Sequence, residues 1–414
     1  MPYEILVDDA KLVKPIKTRL EGQRCFVKPI YRDGDRRVIR TTIDDEHDPL
    51  IADFCKRFYR SEVPDDTGIV GFTRRFLESE GCEQTEALLD CLPRRYTIYS
   101  PLLLFNHSTH RSFEHPAWRS YFSEVGEAAK AKYFRQMLAQ LFPPEISHVA
   151  TNMPIVETDV MRRPFNIAPL YGTLLSPQAG AVGQLRADPQ PADFDRTLWC
   201  HVVQNGIHQL WAPMFTMFSR GNIKEKKRVL DVFPEIEGND VVDLYAGIGY
   251  FTLSYLKRGA RRVFCFELNP WSVEALRRGL DANSFSRDRC CIYNESNETC
   301  VQRISESSVR DLRVRHINLG LLPSSKAGWP LALAIVSMQQ PLPVVTLHIH
   351  ENVHVSAIDS GSFVAETLNQ LAQLNGSYSY AAAHLEKIKT FAPDVWHVCL
   401  DVDVTLSTSH IRLS

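Results

Sequence analysis

The segment Asp243-Leu-Tyr-Ala-Gly247-Ile-Gly249-Tyr-Phe251 constrains this chain more than any other stretch of it. A short apolar run, Asp240–Tyr245, enters it; a helix predicted after it stops at Gly259, a residue type suited to ending helices. Two glycines one residue apart let the backbone turn tightly and approach a ligand closely. Glu267 lies 24 residues after Asp243, at the end of the next apolar run, Arg262–Leu268. A carboxylate there can accept both hydroxyls of a ribose, and such charge-assisted bonds are worth about 1.5–3 kcal/mol each. Strand, glycine turn, helix and acid-tipped strand together predict an adenosine-type pocket at the carboxyl ends of parallel strands.

The residues that follow support the same architecture. Pro270 opens a helix that is predicted to run to about Asn283. Further strands fit Arg289–Tyr293, Arg313–Leu319, Pro343–His350 and Val395–Val404, and apolar residues at 364, 368, 371 and 374 give Phe363–Leu374 helical spacing. This alternation predicts an α/β, doubly wound, mostly parallel sheet of Rossmann-like type. Before residue 221 the periodicity is weaker. The reading is an N-terminal region over 1–100 of uncertain fold, a middle domain over 101–220, and a domain over 221–414 that carries the adenosine-type pocket. The Pro- and Gly-rich stretch Ser176–Asp195 reads as a loop or linker.

Composition bounds the rest. A chain of 414 residues with 44% hydrophobic and 23% charged residues has the apolar content for two or three cored domains. The formal net charge is −2, but charge is unevenly placed. Ten basic residues face three acids between Lys11 and Arg40, and Arg220, Lys224, Lys226, Lys227 and Arg228 stand against Glu225 alone. One such run is usually a solvated face; two on one chain point to a polyanion partner. Aromatic and basic residues also mix between 101 and 170, as at Trp118, Arg119 and Tyr121. No apolar run approaches 18 residues, and the N-terminus carries acids where a targeting peptide has bases, so the expectation is a cytoplasmic chain with no membrane partner. The ten cysteines form no C-x-x-C pair and are read as reduced thiols. Nothing points to an obligate protein partner.

A dinucleotide fingerprint wants a third glycine where Thr252 stands. The D-x-x-x-G-x-G-x-F form resembles instead motif I of class I S-adenosylmethionine-dependent transferases. Phe218-Ser219-Arg220-Gly221-Asn222-Ile-Lys-Glu225-Lys226, Asp243–Phe251, Glu267-Leu-Asn269-Pro270, Asn318-Leu-Gly-Leu-Leu-Pro323-Ser-Ser, His348-Ile-His350-Glu-Asn352-Val and His384–Val404 resemble, in that order, the tRNA wybutosine-synthesizing protein 2 family. The likeness covers about 150–414 well and 1–150 loosely. The neighbouring tRNA guanine-N1 methyltransferases carry a shorter Asn-Leu-Pro at the fourth strand, which favours the wybutosine family for this chain.

The resemblance implies a specific reaction. The 3-amino-3-carboxypropyl group of S-adenosylmethionine, the co-substrate, passes to 4-demethylwyosine beside the anticodon of phenylalanine tRNA, and methylthioadenosine is released. By position, Ser219, Lys226, Asp243, Gly247, Gly249, Glu267, Ser296 and Asn297 are implied cofactor-site residues, with Lys226 offered to the cofactor's carboxylate. Ser296 departs from the family's acid, which puts an adenine contact in doubt unless Glu295 supplies it. Asn318 is assigned to positioning the target base. Arg220 and Lys224 are assigned to RNA, the middle domain over 101–220 to gripping the tRNA, and 221–414 to binding S-adenosylmethionine and catalysis. The alternative within the fold is a tRNA guanine-N1 methyltransferase.

Two other classes are weighed. His350-Glu351-Asn352-Val353-His354 fits H-E-x-x-H, but its β-type flanks oppose the helix that a zinc hydrolase needs, so no metal is expected. An RNA-binding protein with a vestigial cofactor domain is opposed by the intact Gly247, Gly249 and Glu267.

Overall fold

The computed structural model describes residues 2–23, 25–58, 68–152, 164, 167–307, 311–339 and 344–407. Arg24 of the first basic run and Pro343, the expected start of the fifth strand, lie outside them. The chain divides into two compact units, Met1–Asp90 and Cys91–Ser414.

The first unit holds a four-stranded antiparallel sheet in the order Phe26–Asp33, Arg36–Thr41, Tyr3–Val7, Lys56–Phe58. The helix Val13–Gly22 buries Ile16 and Leu20 against Ile5 and Ile39 of that sheet.

The second unit is built on seven strands: β1 (Asp240–Asp243), β2 (Arg262–Phe266), β3 (Cys290–Tyr293), β4 (Val314–Leu319), β5 (Val345–His354), β6 (Tyr378–Ala392) and β7 (Val395–Leu406). Their order is 3-2-1-4-5-7-6; β1 to β5 pair in parallel, and β7 is antiparallel to both of its neighbours. Successive side chains on a strand point to opposite faces, so Val242, Phe264, Ile317 and Leu347 enter one core while Val241, Val263 and Cys265 enter another. Helices α1 (Ile223–Asp231), α2 (Thr252–Lys257) and α3 (Pro270–Ala282) lie on the second face. Asn269 caps α3 by accepting the Trp271 amide at 3.0 Å, and Pro270 occupies the first turn, where its missing N–H costs nothing.

The middle segment does not stand apart. The hairpin Cys200–Gln204/Ile207–Trp211 packs on α3, and Tyr99, Leu102, Ala150 and Trp211 share a core with Ile248 and Ala275. The expected linker Ser176–Asp195 contains two short helices, Val182–Ala187 and Pro191–Phe194. Leu185 and Phe194 from these helices pack around the buried Trp271. Apolar side chains spaced among the prolines are what tie it down.

β6 has no counterpart in the sequence reading. It is the outer strand of the sheet, and its register against β7 breaks three times, leaving Ala383, Ile388 and Phe391 without opposite partners. All ten cysteines are free thiols. Among the described residues no helix is long and apolar enough to cross a membrane.

Candidate functional site

A cleft opens at the carboxyl ends of β1, β2 and β4, lined by Tyr245, Gly247, Glu267, Leu268, Asn297 and Gly320–Leu322 among others. Glu267 sits where the sequence places it. One carboxylate oxygen accepts the Gly247 amide at 2.8 Å and the other accepts the Asn269 amide at 2.8 Å. Two backbone donors thus fix the group's orientation while leaving each oxygen a further lone pair. Burial pushes its pKa up to about 6, against the pull of those two amides, and the nearby Asp243 adds to the rise. The carboxylate is ionised at neutral pH and aimed into the cleft, which suits it to two vicinal hydroxyls.

The two loop glycines do different work. Gly247 has φ +55° and lines the cleft. Gly249 has φ +85°, and a Cβ there would meet Leu276 Cδ1 of α3 at 2.6 Å. The close packing that a dinucleotide fingerprint gives to its third glycine falls here to Gly249. That leaves Thr252 free to donate its hydroxyl to Asp243 at 2.8 Å.

Asp243 and Asn318 lie behind the cleft rather than in it. Both are buried, and the Asn318 side-chain amide donates to Asp243 at 2.9 Å. Burial raises the Asp243 pKa, partly offset by the Asn318 and Thr252 hydrogen bonds. At the end of β4 the cleft wall is instead Gly320, Leu321 and Leu322. On the far side Asn297 lines the cleft and donates to Leu244 O at 3.1 Å. Ser296 caps the turn that follows, accepting the Glu298 amide at 3.3 Å. Its neighbour Glu295 reaches the cleft, held by Arg303 at 2.5 and 3.0 Å; that pairing holds its carboxyl below the usual range.

Ser219 lines the cleft, and Tyr250 clamps its segment by accepting the Ser219 amide at 3.2 Å and donating to Met217 O at 2.6 Å. Lys226 is not brought into the cleft. It is 2% exposed, donating to Gln204 at 2.9 Å and Gln209 at 2.6 Å, with its ammonium 5.1 and 5.2 Å from the Phe218 and Tyr250 rings. Burial drags its pKa down to about 7. The exposed Arg220 and Lys224 flank the cleft segment on the outer surface of the same turn and helix. In the first unit, Arg36 and Arg40 of the earlier basic run are spent on Asp8 and Glu4.

His350 and Glu351 lie on strand β5 and therefore face opposite ways: Glu351 accepts from Ser324 and Ser325, and His350 turns to the cleft. His354 is exposed at the strand's end, so the helical zinc arrangement is not formed. His348 shares the face of His350 and pairs with Asp401, which Arg228 of α1 also grips together with Glu225. His350 bonds His397 at 2.9 Å, and burial pushes both imidazoles well down, His397 to about 3, so they line the cleft as neutral rings. Tyr245, Leu321, Leu322, His397, Lys389 and Phe391 are cleft residues the sequence reading did not single out. The signal for most was positional: Tyr245, Leu321 and Leu322 lie just past the carboxyl end of a strand and Lys389 and Phe391 near that of β6, whereas His397 is at the amino end of the antiparallel β7.

A 3-2-1-4-5-7-6 sheet with a glycine turn after β1 and an oriented carboxylate after β2 defines a class I S-adenosylmethionine-dependent transferase. Residues 201–309 match the TRM5/TYW2 methyltransferase domain. The chain is 48% identical to tRNA wybutosine-synthesizing protein 2 of Saccharomyces cerevisiae, with 99% of each chain covered. It is 37% identical to the protein of that name from Schizosaccharomyces pombe, over 75% of this chain and 73% of that one. The chain belongs to the tRNA wybutosine-synthesizing protein 2 family. A structure of Pyrococcus horikoshii TYW2 in complex with MeSAdo superposes with a TM-score of 0.54 at 23% identity, covering 81% of this chain and 100% of that one, a likeness of fold.

Proposed function

We propose that the protein transfers the 3-amino-3-carboxypropyl group of S-adenosylmethionine to carbon 7 of 4-demethylwyosine at position 37 of phenylalanine tRNA, in the cytoplasm, releasing methylthioadenosine. The observation that carries this reading is the identity to the yeast protein along 99% of the chain, together with a cleft whose oriented acid suits an adenosine. A sulfonium activates every carbon bonded to it, so the bound pose decides whether the methyl or the amino-acid chain faces the nucleophile. This chain's residues then have positioning roles. Glu267 takes the ribose hydroxyls, Gly247 admits the close approach, and Asn297 and Glu295 stand at the adenine side. Ser219 also lines the cleft. Asn318, anchored on Asp243, sets the course of the Gly320–Leu322 wall that the base meets. Arg220 and Lys224 are placed to meet phosphates. Lys226 reaches a cofactor carboxylate only by leaving its two glutamines.

The second reading is methylation of guanine N1, because the matched domain carries both family names. The by-product decides. The purified protein is incubated with labelled S-adenosylmethionine and tRNA from a strain blocked at this step, which carries the acceptor base, and in parallel with tRNA bearing unmodified guanosine at position 37. Methylthioadenosine is the expected product; S-adenosylhomocysteine in its place would convert the assignment to a methyltransferase.

A further inference from the structure

The acceptor base needs a receptor, and the residues around Glu267 are fitted to the cofactor. Phe391 stands apart from these. It is a large aromatic side chain 52% exposed, it lines the cleft, and among the described residues its ring stacks on no other ring. Its backbone position explains the exposure. Phe391 falls at the third register break of β6, between Thr390 and Ala392, where no residue of β7 stands opposite. An extra residue of this kind bends a strand and re-aims a side chain, a device common beside active sites. β6 runs parallel to β1 through β5, so this end of it lies at the same edge as the glycine turn. The strand is also held to the cofactor segment: the Lys389 stem lies where a Cβ on Gly221 would be only 2.3 Å away, and its amine is 3.5 Å from Ser219 Oγ. Leu321 and Leu322 line the same cleft.

We propose that Phe391 is the stacking platform for the acceptor base, gripping it against the Leu321–Leu322 wall and reading the size of its ring system. The inference rests on the transferase reading above. Any base that reaches a group bound at Glu267 shares the cleft with Phe391, and an unpaired aromatic face is the sequence-tolerant way to hold an unstacked base. Stacking grows with ring area, so a three-ring base is held more tightly than a guanine at the same position. Phe391 thereby contributes to choosing the base that an earlier ring-forming enzyme has already enlarged.

The test compares wild type, Phe391→Ala and Phe391→Trp in the presence of methylthioadenosine. Binding is measured to phenylalanine tRNA carrying the tricyclic base and to the same tRNA with guanosine at position 37. Wild type is expected to prefer the tricyclic tRNA; Phe391→Ala should lose about tenfold of that preference. Phe391→Trp should retain it, and methylthioadenosine affinity should stay within about twofold in both variants. An unchanged preference in Phe391→Ala, or a wild type without preference, would overturn the proposal. Transfer is assayed in parallel with S-adenosylmethionine in place of methylthioadenosine; a wild type that transfers nothing to either tRNA sinks the transferase reading and the proposal together, a result distinct from the two above.

Discussion

The buried carboxylate of Asp243 accepts the side-chain amide of Asn318 at 2.9 Å, joining the end of β1 to the neighbouring β4. Thr252 donates to the other oxygen, so both are occupied by protein donors. Asp243→Ala strands an amide and a hydroxyl in the core, and the expected cost is on the order of 3 kcal/mol of stability. Urea unfolding measures this. Methylthioadenosine affinity under folded conditions should change less than tenfold; a collapse of affinity without loss of stability would make Asp243 a ligand contact.

Glu267 supplies the pH dependence of nucleoside binding. Its pKa is raised by burial to about 6, so the group passes from ionised to protonated as pH falls through that value. The protonated form has lost acceptor capacity, so methylthioadenosine, which has no amino-acid groups to titrate, should bind progressively more weakly from pH 7 to pH 5. The native state holds this proton more tightly than the unfolded chain does, so the same acidification favours folding through this group. Titration calorimetry across that range checks the binding; Glu267→Gln should be weak and flat.

Gly249→Ala tests the packing role of the second loop glycine. The added methyl meets Leu276 at 2.6 Å on a backbone at φ +85°, so strain and overpacking add. The expected loss is about 2–3 kcal/mol, read as a lowered unfolding midpoint.

Lys226 makes an opposite pH prediction. Burial lowers its pKa to about 7, so between there and its usual value the unfolded chain binds the proton that the native chain gives up. Stability from this group therefore rises with pH across that window, by up to about 1.4 kcal/mol per unit. Lys226→Met should lack the trend, so the wild-type advantage should widen between pH 7 and pH 9 in paired urea titrations.

Arg220 and Lys224 bear on RNA. Both are exposed beside the cleft segment. Replacing either with Ala should weaken tRNA binding and lower the slope of log affinity against log salt by about 1. Unchanged slopes in both would make them ordinary solvated charge.

The catalytic sheet was legible because its parallel strands are apolar runs closed by turn residues. The glycine turn and Glu267 were legible because backbone freedom and an acid at a strand end are local features. Asp243 and Asn318 stood out at the right strand ends, but that their side chains turn inward to each other is decided by the β1–β4 pairing. Lys226 sits in a basic run and looks solvated until the Gln204–Gln209 hairpin folds over it. β6 escaped notice because an outer strand buries little: of its residues only Ile388 is fully buried, and Ala381-Ala-Ala-His-Leu-Glu-Lys reads as helix. Phe391 could not be found while its strand was missing.

The irregular course of β6 has another consequence. A 15-residue strand at the open side of a sheet would display a continuous row of unpaired amides and carbonyls, a template for another chain to add to. Breaks at Ala383, Ile388 and Phe391 divide that row into pieces too short and too twisted to copy. Removing one of these extra residues would lengthen the regular edge that another chain can pair with, so the irregularity that carries Phe391 also interrupts that edge.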